Sequence, residues 1–132
     1  MNRTARRRSA HPRPERRSAE RRGRVAELMC RWHLRLRGWR IVARDWRCPS
    51  GEIDILARRG RVLAVIEVKS RPDLATAVLS VVPRQRRRIA RAASAFLMTR
   101  PDLAALTLRF DVMLVAPLRP PRHMTGMWRS DE

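Results

Sequence analysis

The stretch GEIDILARRGRVLAVIEVKS, residues 51–70, narrows most what this chain can become. Two β-rich runs, 52–57 and 61–70, flank the break Arg58-Arg59-Gly60, and that pattern predicts a β-hairpin. With Arg59-Gly60 as a two-residue turn, Asp54 falls opposite Val65 and Glu52 opposite Glu67. Side chains alternate across a strand, so Glu52, Asp54, Glu67 and Lys69 share one face. Ile53, Ile55, Ala64, Ile66 and Val68 share the other, which is better suited to burial. Asp54 and Glu67 are then diagonal neighbours, roughly 7–8 Å apart at the backbone and within side-chain reach of each other. A slip of one residue would separate them.

The flanking segments extend this hairpin into a mixed sheet. Val25, Leu28, Met29, Trp32 and Leu36 recur at three- and four-residue steps, which predicts a helix from about Ser18 to Arg37 with Gly38 as its stop. WRIVARDW, 39–46, reads as a strand leading into a CPSG turn. Pro83 suits the first turn of a helix over 84–98, whose stripe is Ile89, Ala92, Ala93, Phe96 and Leu97. LTLRFDVMLV, 106–115, alternates as a last strand. The order is α-β-β-β-α-β, an α/β fold with an antiparallel meander joined to a right-handed parallel crossover and flanked by helices. Residues 1–17 form a basic arm expected to be disordered, 18–116 the domain, and 117–132 a Pro-rich, irregular tail anchored by Trp128.

Charge points to the class of partner. Lys and Arg number 31 against 12 acids, giving a formal charge of +19, so most cations lack an internal carboxylate. Nucleic acid is the default polyanion for such a chain, because each neutralised phosphate releases counterions. Arg richness from coding bias, or an acidic protein partner, are the alternatives. No apolar run reaches the length of a membrane span, and no secretory signal is visible, so a cytoplasmic location is expected. Cys30 and Cys48 lack CxxC spacing, and His11, His33 and His123 form no ligand cluster.

Against this basic background, one face gathers three acids and the single lysine, Lys69. Clustered carboxylates repel, and either a solvated surface with arginine partners or a bound divalent cation relieves them. Mg²⁺ takes oxygen ligands, and Asp54, Glu67 and the backbone carbonyl of Val68 could supply them.

An acid, twelve intervening residues and then Glu67-Val68-Lys69, on adjoining strands, resembles the core motif of the PD-(D/E)xK, or restriction-endonuclease-like, nucleases. Ile53-Asp54 stands where that group commonly has Pro-Asp. More closely, GRVAELMCRWHLRLRGWRIVARDWR, GEIDILARRGRVLAVIEVKSR, PRQRRRIARAASAFL and LRFDVMLV resemble, in order and spacing, the bacterial YraN family. That family is itself similar to archaeal Holliday-junction resolvases. The resemblance implies a nuclease-like fold and a Mg²⁺ (or Mn²⁺) site at Asp54 and Glu67, with Lys69 as catalytic lysine. By analogy it also implies a homodimer acting on branched DNA.

Two further residues follow from the resemblance as catalytic candidates. Glu27 matches a first-helix acid, yet it lies about 200° around the helix from Val25. It either crosses the sheet edge into the site or is a surface acid. Gln85, four residues before Ile89, faces inward and could reach the site. Arg84 replaces a frequent lysine and, with Arg86, Arg87, Arg88 and Arg91, is a candidate for holding the nucleic-acid backbone. The expected activity is metal-dependent hydrolysis of DNA phosphodiesters; the alternative is a non-catalytic nucleic-acid-binding module on the same fold.

Overall fold

The computed structural model describes residues 14–130, with side chains from residue 23 onward. The expected arm therefore lies mostly outside the described residues. Helix α1 spans Pro14–Leu36, four residues longer at its start than its apolar spacing suggests. Strands β1 (Arg40–Cys48), β2 (Gly51–Arg59) and β3 (Val62–Ser70) form the meander. A short helix α2 (Leu74–Leu79), helix α3 (Pro83–Thr99) and a 3₁₀ turn (Pro101–Leu103) lead to β4 (Thr107–Val115). Asp73 caps α2, its Oδ1 accepting from the Thr76 N–H at 2.8 Å, and Pro83 opens α3 as its sequence position suggests. The tail is not irregular: Arg122–Trp128 forms a fifth strand, β5.

The sheet order is β1-β2-β3-β4-β5, with β3 and β4 parallel and every other pair antiparallel. Helices cover both faces. On one, Ala26, Cys30 and Leu34 of α1 pack on Ile55, Ala57, Ala64, Ile66 and Met113. On the other, Ile89, Ala92, Ala93 and Phe96 of α3 pack on Leu56, Leu63, Val65 and Val112. Both faces of β3 are thus buried, as a sheet with a parallel crossover requires. Trp128 anchors the tail as expected, stacked on Phe110 with ring centroids 5.3 Å apart.

Two expectations are corrected. The hairpin turn is Gly60-Arg61, since Arg59 pairs with Val62 and Ile55 with Ile66. Gly60 has φ +59, and a left-handed first turn position selects glycine. The register moves by two residues, which keeps the expected faces from Ile55–Ile66 to the turn; beyond Ile55 the ladder ends, and Ile53 leaves the expected face for the α3 side. The α1 stripe is also not the packed face. Val25 is 52 % exposed, Trp32 57 % and Leu36 79 %, whereas Ala26, Cys30 and Leu34 are buried. Small residues let the helix lie close to the sheet.

Gly51 marks a close approach between β2 and α3. A Cβ there would sit 3.0 Å from the Arg88 carbonyl oxygen, which is backbone and cannot swing aside. Gly51→Ala is expected to lower stability by about 1–3 kcal/mol, measured by urea unfolding. It should also shift α3, whose first turns carry Gln85 and Arg88.

Candidate active site

At the β1–β2 end of the sheet, one local irregularity assembles the acidic groups. Arg44 pairs with Ile55 and Trp46 with Ile53, which sets Asp45 across from Asp54 between them. Asp45 has φ 48, a left-handed conformation that a non-glycine residue adopts rarely and mostly as Asp or Asn. The β2–β3 ladder ends at Ile55–Ile66, and Ile53 packs on the α3 side with Leu56 although Ile55 faces α1. Alternation is broken at Asp54. Its Oδ2 accepts the Val68 N–H at 2.8 Å, replacing a lost ladder bond with a charge-assisted one.

This kink lets carboxylates from three elements converge. One oxygen each from Glu27, Asp45 and Asp54 lies within 4.8 Å of the others. Glu67, buried on β3, adjoins Asp54 and points beneath α3. Gln85 Nε2 donates to Glu67 Oε1 at 3.0 Å, and Lys69 Nζ lies 3.4 Å from the same oxygen. Two cavities flank the group. One, of about 350 Å³, is lined by Glu67, Gln85, Arg88 and Cys48; the other, of about 560 Å³, by Glu27, Asp45, Asp54 and Arg24. Arg47 and Glu52 line both and pair at 3.2 Å.

Of the sequence candidates, the structure brings together Asp54, Glu67, Lys69, Gln85 and Glu27. Glu27 reaches the acids because the Val25 stripe faces solvent; 200° away from that stripe is the side toward the sheet end. Val68 offers its N–H to Asp54. Arg84, Arg87, Arg88 and Arg91 are exposed along α3. Arg86 is engaged internally, its Nε donating to the Val81 carbonyl at 2.9 Å and its guanidinium lying 5.7 Å from the Trp128 ring. Sequence reasoning missed Asp45. The signal was there: closing the CPSG turn so that Cys48 meets Gly51 puts Asp45 opposite Asp54.

The crowding has electrostatic consequences. Burial, then the charges of Asp54 and Asp45, push Glu27 up to about 8. Burial and the Asp54 charge push Glu67 up to about 8 despite Lys69. Burial also raises Asp54, outweighing the Val68 N–H and the Lys69 charge. Without a further cation, this group cannot ionise fully near neutrality.

Residues 26–115 match the Uncharacterised protein family UPF0102. The chain belongs to UPF0102, the YraN family. A UPF0102 protein of Paramagnetospirillum magneticum is 48 % identical over 127 residues, covering 93 % of this chain and 98 % of that one. Similar relatives occur in Parvibaculum lavamentivorans, at 49 % identity over 85 % of this chain and 84 % of the relative, and in Rhizorhabdus wittichii, at 46 % over 86 % and 95 %. The UPF0102 segment runs from the buried face of α1 to the end of β4, so it contains Glu27, Asp45, Asp54, Glu67, Lys69 and Gln85 but not β5. Among the described residues of this UPF0102 member, no helix is long and apolar enough to cross a membrane.

Proposed function

We propose that this protein is a metal-dependent endonuclease that hydrolyses DNA phosphodiesters, with Asp54, Glu67 and Lys69 at its centre. The observation that carries this reading is the convergence of Glu27, Asp45 and Asp54, with the Glu67–Lys69 pair beside Asp54, in a chain of charge +19. Carboxylate crowding is costly, and it sits where arginines on both sides could receive a phosphate backbone.

The donor set fits a hard divalent cation. Only oxygens converge, and their 4.8 Å spread needs a small contraction to meet ligand distances of ~2.1 Å. Asp54, with Glu27, Asp45 and Glu67 in reach, would hold Mg²⁺ or Mn²⁺, which supplies a more acidic bound water and charge relief at the phosphate.

The remaining roles fall to the chain itself. Gln85 and Lys69 both engage Glu67 Oε1. That arrangement holds Lys69 Nζ beside the acids, where a compact ammonium can orient a water or contact a phosphate oxygen. An arginine there would bring a planar fork that fills the space a water needs. Arg24, Arg47 and Arg88 border the two cavities, and exposed Arg84, Arg87 and Arg91 extend the basic track along α3. These would hold the DNA backbone without reading bases.

Purified protein incubated with linear duplex, single-stranded, flap and four-way DNA should cleave at least one substrate with Mg²⁺ or Mn²⁺ and none with EDTA. Salt-sensitive binding without cleavage on every substrate would favour a binding module instead.

Stability gives a second readout. Glu27 and Glu67, raised to about 8, hold protons in the folded state that the unfolded chain releases above about 4.5. Stability from these neutral carboxyls is therefore present at low pH and lost as pH rises through about 8. In EDTA the Tm should fall between pH 6 and pH 8.5. Mn²⁺ should raise it by about 5 °C or more at pH 8.5 and by less at pH 6, as read by calorimetry. A metal effect independent of pH would contradict a shared site.

A further inference from the structure

The face of α1 turned away from the sheet carries Val25, Leu28, Met29, Trp32 and Leu36, all substantially exposed. Their spacing confines them to one stripe about 100° wide. Beside the stripe, Val25 and Met29 share a cavity of about 700 Å³ with residues Val115–Pro120, where Leu118 lies fully open to solvent. A contiguous apolar patch of several hundred Å² is seldom left uncovered on a soluble chain. None of it is used by the carboxylate site, which lies on the opposite flank of the helix.

The charge around the groove specifies the occupant. No carboxylate occurs from Leu28 to Arg44, nor from Val112 to Ser130, the segments that form most of the groove and its rim. Exposed Arg119 lines the cavity, and exposed Arg35 lies beside Trp32 on the stripe. A second copy would set these arginines against their own kind in a chain of charge +19. A nucleic-acid strand would need stacking aromatics, and Trp32 is the one aromatic in the patch, already with the Arg35 guanidinium 5.5 Å from its ring centroid. A bilayer surface is broad and flat, whereas this groove is concave and closed on one side by the Pro117–Pro120 segment.

We propose that the α1 groove docks an acidic amphipathic helix from a partner protein. Apolar side chains at i, i+3, i+4 and i+7 would enter between α1 and Leu118, and flanking carboxylates would pair with Arg35 and Arg119. This inference is independent of catalysis.

The probe is a labelled synthetic helix of about 20 residues, with leucines along one face and glutamates beside them. It is titrated against the full chain by fluorescence anisotropy. Saturable micromolar binding is expected, weakened at least ~10-fold by Trp32→Ala and by Met29→Glu. Both sites are exposed, so unchanged thermal melts should accompany the loss. Asp54→Ala should bind like the wild type, which separates this result from the fate of the nuclease reading. Absence of binding up to ~100 μM, or equal binding of a peptide with lysines replacing the glutamates, overturns the proposal. So does a wild-type dimer in sedimentation that Met29→Glu dissociates, which assigns the groove to a second copy. Binding to phosphatidylglycerol vesicles or oligo-dT that Met29→Glu abolishes overturns it equally.

Discussion

Lys69→Ala is expected to lower metal-dependent cleavage by about 10²–10³-fold, with little change in DNA affinity at fixed salt. Many arginines surround the site, so one lost cation among 31 barely alters the general electrostatic hold on DNA. The loss should appear in kcat. Lys69→Arg keeps the charge yet should recover only a small part of the rate. Its guanidinium is longer and planar, and the space near Glu67 Oε1 is already shared with the Gln85 amide. Single-turnover cleavage and filter binding, run on both variants, separate the two effects. A Lys69→Arg variant with wild-type rate would show that charge alone suffices and that the lysine has no positional role.

Asp111→Ala is expected to cost about 3–5 kcal/mol of stability, a large part of the ~5–15 kcal/mol typical of a domain. Asp111 is fully buried in β4 and accepts from Arg109 at 2.9 Å through both oxygens, from His123 Nε2 at 2.7 Å and from the Gly126 N–H at 2.9 Å. Two of these partners belong to β5, so the carboxylate fastens the last strand where the β4–β5 register shifts between Phe110 and Val112. Removing it leaves the Arg109 guanidinium, 5.5 Å from the Trp39 ring centroid, without its bidentate partner. Asp111→Asn keeps the shape and should cost less.

The same carboxylate sets an acid limit. Burial alone would raise Asp111, but the hydrogen bonds from His123, Arg109 and Gly126 outweigh it and hold the group below its usual value. A depressed carboxyl contributes stability that is present above the unfolded value near 3.8 and lost as pH falls through the folded one. Urea denaturation across this acid range should show Asp111→Asn losing less stability than the wild type.

How far the sequence revealed the site follows from which interactions are local. The hairpin, α3 and β4 are legible because their apolar periods agree with the turn residues beside them. Asp54, Glu67, Lys69 and Gln85 follow from that periodicity once the family resemblance is added. The two-residue error in register came from placing Gly60 second in the turn, where the backbone needs it first. The α1 stripe misleads for a different reason: periodicity reports that a helix has an apolar face, not that the face is covered. Ala26, Cys30 and Leu34 form a second, smaller-residue face that only the sheet's proximity identifies. β5 was hidden by Pro117, Pro120 and Pro121, which announce irregularity just before a strand begins. The Arg109–Asp111–His123 network spans distant segments, and no short pattern encodes it. Asp45 lay within reach of reasoning, because the CPSG turn fixes its partner, but its left-handed backbone did not.

The central claim is that the Asp54 cluster binds a divalent cation and cuts DNA with it. One measurement tests this most directly: Mg²⁺-dependent cleavage of four-way and flap DNA by the wild type and Asp54→Ala, purified identically and assayed side by side with EDTA controls. Cleavage by the wild type that vanishes in EDTA and in Asp54→Ala, while both proteins bind DNA with the same salt dependence, is the expected result. Cleavage of equal rate by Asp54→Ala would contradict the account and assign the activity to something other than this site.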